Sequence, residues 1–192
     1  MNPEIDLSNV ILKTERVTLR PWTLDDAQAM YEYASVDGVG QMAGWVPHKG
    51  IDESREIISN FINEKKTFCV DIDGKAVGSL GIEFYDEKLF PEFEDRKVRE
   101  LGYVLSREYW GQGLMPEAVK ETIRYCFEDL DLEILLCGHF DWNRQSERVQ
   151  EKCGFRRYRT LDYVTRAGKH ENAVMEILTR EDWLALDPSM KV

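Results

Sequence analysis

Tyr109-Trp110-Gly111-Gln112-Gly113-Leu114-Met115-Pro116-Glu117-Ala118 joins a strand-like run, Arg99 to Ser106, to an amphipathic helical pattern beginning near Leu114. Two glycines permit a tight turn and a close approach of ligand to main chain, which a Cβ would obstruct. The helix behind them presents unpaired N–H groups and the positive end of its dipole. Strand, glycine turn and helix start together make an anion cradle, the usual seat of a phosphate or pyrophosphate. The spacing narrows which anion. Gly111-x-Gly113 runs on into Pro116, so the Gly-x-Gly-x-x-Gly dinucleotide fingerprint fails, and no Gly-Lys-Ser/Thr follows as in a kinase-type phosphate loop.

Outward from this centre, Val17 to Arg20 alternates as a strand, and Thr23 offers a cap for a helix reaching about Ser35. Asp52 is expected to cap a second helix with Ile57, Ile58, Phe61 and Ile62 on its apolar face. Thr67 to Ile72 and Lys75 to Tyr85 flank Asp73-Gly74, a strong hairpin signal. Downstream, the helix from Leu114 to Leu130 leads to a strand over Glu133 to His139, which predicts one parallel pair. Asn143 caps a short helix that Gly154 ends, and Tyr158 to Thr165 with Ala173 to Thr179 form a last hairpin around Ala167-Gly168-Lys169. The predicted order is βααβββαβαββ, with no repeat and no linker, so residues 1–192 read as one domain.

Bulk properties exclude several classes. The net charge of −11 argues against a nucleic-acid binder, which needs basic surface. An acidic surplus suits a cationic acceptor such as an amine. No apolar run approaches the ~20 residues of a membrane helix, and Met1 to Asp6 lacks the regions of a signal peptide. Cys69, Cys126, Cys137 and Cys153 show no metal-ligand spacing, so no metal is expected, and they read as reduced thiols of a cytoplasmic protein.

Three segments carry a family resemblance. Trp110-Gly111-Gln112-Gly113-Leu114-Met115 resembles the acetyl-CoA loop of the GNAT N-acetyltransferases, Arg/Gln-x-x-Gly-x-Gly/Ala, with Trp110 and Met115 departing from the pattern. Asn143-Arg144-Gln145-Ser146 with Glu151-Lys152-Cys153-Gly154-Phe155, and Leu12 to Trp22 at the start, are similar to the ribosomal-protein N-terminal acetyltransferase (Rim-type) branch. The resemblance implies an α/β fold with a central, mostly antiparallel twisted sheet containing one parallel pair, flanked by helices. It also implies acetyl-CoA as acyl donor and direct attack by an amine in a ternary complex. By alignment, main-chain groups of Tyr103, Val104 and Leu105 hold the pantetheine arm and the thioester carbonyl. The amides from Trp110 through Gly111, Gln112, Gly113 and Leu114 to Met115 take the pyrophosphate. Asn143 contacts CoA, and the Ser146 hydroxyl approaches the sulfur as acid. Many members carry a tyrosine acid seven residues after that asparagine; here the position is Gln150.

The base is not named by any motif. Glu100 shares a strand face with Gly102 and Val104, and Glu83 lies on the neighbouring strand, so these two carboxylates are the first choices. Either can instead pair with Arg99 or Arg107. His139, His48 and His170 are weaker choices. Trp45, Pro47 and His48 fall in a loop expected to line the acceptor site or plug the core. Leu89 to Asp95 reads as an exposed, aromatic and acidic segment suited to a cationic acceptor or a dimer contact. Cys153 reads as a small packing residue. The expected acceptor is a protein or peptide N-terminus, with a polyamine, an aminoglycoside or another small amine open within the same chemistry. A non-catalytic acyl-CoA-binding module and a nucleotide-binding oxidoreductase are the competing classes; monomer and homodimer are both open.

Overall fold

Alternating apolar residues and tight turns build a single eight-stranded sheet in a computed structural model that describes residues 1–165 and 167–191. The strands are β1 (Leu12–Lys13), β2 (Thr18–Arg20), β3 (Thr67–Ile72), β4 (Lys75–Glu83), β5 (Val98–Leu105), β6 (Ile134–Phe140), β7 (Arg156–Val164) and β8 (His170–Thr179). They lie in the order β1-β2-β3-β4-β5-β6-β8-β7. Every neighbouring pair is antiparallel except β5 with β6. The helices are α1 (Ala27–Ala34), α2 (Ile51–Glu64), α3 (Leu114–Glu128), α4 (Arg144–Lys152), α5 (Arg180–Ala185) and α6 (Pro188–Lys191). The mixed α/β expectation and its one parallel pair are borne out. Position 166, in the expected final turn, lies outside the described residues.

Local chemistry explains most of these elements. Asp73 and Gly74 both take left-handed φ, 53° and 84°, as a type I′ hairpin requires. Helix α2 begins at Ile51, one residue ahead of the expected Asp52 cap, with the extended Gly50 as its N-cap. Strand β1 is two residues long, too short to show alternation, and α5 and α6 follow a β8 that runs unbroken to Thr179.

Both faces of the sheet are covered. On one, Val119, Ile123, Cys126 and Phe127 of α3 pack against Leu101, Leu135 and Cys137. On the other, Ala27, Met30 and Tyr33 of α1 and Ile58 of α2 pack on Cys69 and Ala76. A further cluster there corrects one expectation: Phe90 and Phe93, read as exposed, are 1% and 8% accessible and pack with Tyr85, Val98, Ile134 and Leu136. The acidic residues of that connection stay outside while its aromatic rings go in, which polarity averaged over the segment conceals.

The feature that positions the site is a break in the sheet. β5 and β6 pair only from Val98↔Ile134 to Leu101↔Cys137. Beyond that point β5 follows β4 to Gly78↔Leu105, while β6 follows β8 to Phe140↔Ala173. The two strands therefore part into a V. The amide of Ser106 donates to the Val77 carbonyl at 2.7 Å, which sets the phase of the β4–β5 ladder. That phase turns the polar main-chain groups of Val104 toward β4 and those of Tyr103 and Leu105 into the V.

Candidate active site

The V opens into a cavity of about 340 Å³. Its lining includes Tyr103, Val104, Leu105, Trp110, Gly111, Gly113, Leu114, Met115, Asn143 and Ser146. Of the residues expected to hold the cofactor, Gln112 is outside that lining: its side-chain amide donates to the Glu108 carbonyl and its own carbonyl accepts from Arg16. Gly111 and Gly113 take φ of 75° and 78°, a conformation that costs any β-carbon-bearing residue free energy. A Cβ on Gly111 would meet nothing within 4 Å, so the turn faces open space. Among the described hydrogen bonds, the amides of Gly111, Gln112, Gly113, Leu114 and Met115 donate to no carbonyl. The Trp110 amide is engaged with the Arg107 carbonyl at 3.2 Å, so the unengaged set begins one residue later than expected. Trp110 serves by its side chain, whose indole N–H donates to the Leu105 carbonyl at 2.8 Å and ties the turn back to the end of β5.

Although the whole chain carries a net charge of −11, the charge beside this cradle is locally balanced. Arg16 donates through Nη1 to the Gln112 carbonyl at 2.9 Å and through Nε to Glu117 at 2.8 Å, tying the loop and the first turn of α3 to the segment before β2. That pairing neutralises Glu117, the acid nearest the helix N-terminus, and its carboxyl is held below the ordinary range chiefly by hydrogen bonds from Thr14 and Arg16 acting against burial. Across the cavity, Gln145, Arg148, Val149 and Lys152 of α4 line the wall. They recur at i, i+3, i+4 and i+7, one helical stripe carrying two cations. The charge pattern was readable in sequence, but its direction depends on where α4 docks.

At the start of α4 the Asn143 Oδ1 accepts from the Ser146 amide at 3.1 Å, as an N-cap does. Asn143 is buried, and its Nδ2 donates to the Met42 carbonyl at 3.1 Å, fastening the loop after α1 to the cavity. Ser146 Oγ lies 2.9 Å from the Tyr103 hydroxyl. Gln150, wholly buried, donates from Nε2 to the Gly138 carbonyl at 3.2 Å and reaches Ser146 Oγ at 3.3 Å. Its Oε1 faces His139 Nδ1 at 2.9 Å. His139 is thus inside the protein, on the α4 side of the sheet, 4.0 Å from Glu176. The role of the Tyr103 side chain was missed in sequence because its contacts with Ser146 and Gln150 join residues 43 and 47 apart, and that of Gln150 because it depends on how α4 docks on β6.

The two carboxylates lie on the opposite side of the sheet. Glu100 pairs in register with Glu83 and with Leu136, one step before the strands part. Glycines surround it: Gly81 and Gly102 follow in the β4–β5 register, and a Cβ on Gly138 would lie 3.8 Å from its Oε1. The expected arginine pairing does not occur. Arg99 points to the other face and donates to the Pro3 and Ile82 carbonyls, while Arg107 stacks on the Trp110 ring. Glu83 is compensated by Lys66 and by Thr67 Oγ1 at 3.1 Å. Burial, then the neighbouring charges of Glu83 and Asp86, push the Glu100 carboxyl up to about 7.

The other residues singled out in sequence lie outside the lining of this cavity. His48 Nδ1 meets Ser54 Oγ at 2.8 Å, and the Trp45 ring lies tilted against that of His48, centroids 5.2 Å apart. His170 meets Asp162 on the surface. All four cysteines are buried and unpaired. Burial pushes the Cys153 thiol up to about 12 and raises the other three as well, which leaves no thiolate for nucleophilic attack. Among the described residues no cluster of metal ligands occurs, and no helix is long and apolar enough to cross a membrane.

Comparison with known proteins agrees with this geometry. The acetyltransferase (GNAT) domain family matches residues 16–156. The chain is 26% identical over 181 residues to the uncharacterized N-acetyltransferase p20 of Bacillus licheniformis, covering 90% of this chain and 97% of that one. It is 29% identical over 84 residues, 43% of each chain, to the ribosomal protein uS5-alanine N-acetyltransferase of Escherichia coli. A GNAT-family acetyltransferase structure from Bacillus anthracis shares the fold with a TM-score of 0.78 at 22% identity, covering 90% of this chain and 99% of that one. The chain belongs to the GNAT acetyltransferase family and is an acetyl-CoA-dependent N-acetyltransferase.

Proposed function

We propose that the acceptor is the α-amine of a peptide or protein N-terminus, acetylated by direct attack on the thioester in a ternary complex. The observation that carries this reading is Glu100, a carboxyl without a cationic partner among the described ion pairs, at the apex of the V. Its pKa of about 7 matches an acceptor whose ammonium titrates near ~8, because a base works best when close to the working pH and not far below its substrate. A lysine side chain at ~10.4 would ask more of it. The likeness to an enzyme that acetylates an alanine of a ribosomal protein points the same way.

In this reading the amides of Gly111 to Met115 bind the pyrophosphate, with Arg148 and Lys152 adding charge from the facing wall. The inward main-chain groups of Tyr103 and Leu105 take the arm of the donor, and their preorganised N–H groups suit a developing oxyanion. Ser146, beside Tyr103, serves the departing sulfur. Glu100 takes the ammonium proton on the far face of the sheet, and Glu83, held by Lys66, keeps the local field acidic. Bound acetyl-CoA supplies an activated acyl group; the chain supplies position, charge and a proton acceptor.

Thiol release with three acceptor sets tests this: peptides with free N-termini, the same peptides N-blocked but carrying lysine, and spermidine. Turnover confined to the first set is expected. Preference for the blocked lysine peptides contradicts the reading, and preference for spermidine moves the acceptor to small polyamines.

A further inference from the structure

The side chains around Ser146 have a direction as well as a set of distances. The Gly138 carbonyl only accepts, so the Gln150 amide must present Nε2 to it and Oε1 to His139. His139 Nδ1 therefore carries a proton. The second Nε2 hydrogen of Gln150 is then left between Ser146 Oγ at 3.3 Å and the Tyr103 hydroxyl at 3.5 Å. As acceptors for its own hydrogen the Tyr103 hydroxyl has Ser146 Oγ at 2.9 Å, the Ser146 carbonyl at 3.2 Å, which already serves the α-helical ladder, and the sulfur of the buried Cys137.

We propose that Gln150 and Tyr103 both donate to Ser146 Oγ when CoA is bound, filling its two lone pairs so that its single hydrogen is aimed into the cavity at the sulfur. This rests on the reading of the cavity as the CoA site. An alcohol is a much weaker acid than a thiol, so Ser146 acts here by donating a hydrogen bond to sulfur rather than by surrendering its proton. As the carbon–sulfur bond breaks, its electron pair passes to sulfur and is stabilised there by a fixed donor. Gln150 is a positioning residue, standing where many relatives place a tyrosine, and Tyr103 brings a phenol to the same spot from β5. The buried His139–Glu176 pair fixes the other end of the amide.

The test needs no acceptor. CoA alone is bound to the full chain, and ionisation of its thiol is followed by thiolate ultraviolet absorbance as pH is raised, with affinity measured in parallel by calorimetry. Relative to the wild-type chain, Gln150→Leu, Tyr103→Phe and Ser146→Ala should each lower the acid dissociation constant of the bound thiol about tenfold, one charge-assisted hydrogen bond's worth. Gln150 does not reach the cavity surface, so Gln150→Leu should hold CoA within about threefold of wild type, a split that loss of structure would not produce. Equal thiol acidity in wild type, Tyr103→Phe and Gln150→Leu overturns the proposal. An effect of Tyr103→Phe without one of Ser146→Ala also overturns it, by making the phenol the donor. Absence of CoA binding by the wild-type chain overturns the cofactor-site reading itself.

Discussion

Glu83 and Glu100 stand directly opposite one another across β4 and β5, two carboxylates in register on one face of the sheet. Lys66 reaches Glu83 and leaves Glu100 without a counter-ion among the described pairs. Burial first, and then the like charge of Glu83, hold the Glu100 carboxyl in its protonated form up to about 7. The division of labour follows from which one the lysine can touch.

Glu100→Gln is expected to lower kcat/KM at neutral pH by about a hundredfold or more, the usual contribution of a positioned base. In the wild-type chain kcat/KM should rise with pH through about 7 as Glu100 ionises, and the substitution should flatten that limb. Retention of the limb in Glu100→Gln removes the residue from the mechanism.

Stability should move the other way. The folded carboxyl titrates near 7, above the ~4.3 of an unfolded glutamate, so its ionisation opposes folding. That cost is absent below pH ~4, grows as pH rises toward 7 and is fully present above pH ~8, at roughly 3–4 kcal/mol. Denaturant midpoints should show Glu100→Gln more stable than wild type at pH 8.5 and equal to it at pH ~4. A variant less stable at the higher pH would show that Glu100 holds the fold together.

Gly113→Val should weaken CoA binding more than tenfold while costing about 1–2 kcal/mol of stability, because a branched residue at φ 78° is strained and its side chain enters the cradle beside Arg16. Undiminished affinity by calorimetry would empty the cradle of its role.

Replacing Arg148 and Lys152 together by alanine should weaken CoA binding up to about tenfold at low ionic strength, with the difference shrinking at high salt and the melting temperature unmoved. Both residues are exposed on α4, so their effect should be electrostatic and not structural. A loss of affinity independent of salt would argue against charge as the cause.

What could be read in advance was local chemistry. Asp73-Gly74 specifies its turn, Gly111 and Gly113 specify theirs, and Asn143 caps Ser146, because each depends on residues a few positions apart. The strand face shared by Glu100, Gly102 and Val104 follows from a period of two. The parting of β5 from β6 is different: it depends on where β8 carries β6, and nothing within either strand encodes it. The pairing of Glu83 with Lys66 and the partnership of Tyr103, Ser146 and Gln150 are likewise set by docking. The inward turn of Phe90 and Phe93 was hidden because their acidic neighbours dominate the segment's polarity.

The four sealed cysteines give the native chain a silent chemistry that unfolding switches on. Maleimides and iodoacetamide need an accessible sulfur with some anionic character, and the folded protein offers neither. Covalent labelling therefore counts opened molecules, and its rate reads out how often each of the layers against the sheet comes apart. Turnover should accordingly survive alkylating reagents at concentrations that silence thiol-dependent acyltransferases.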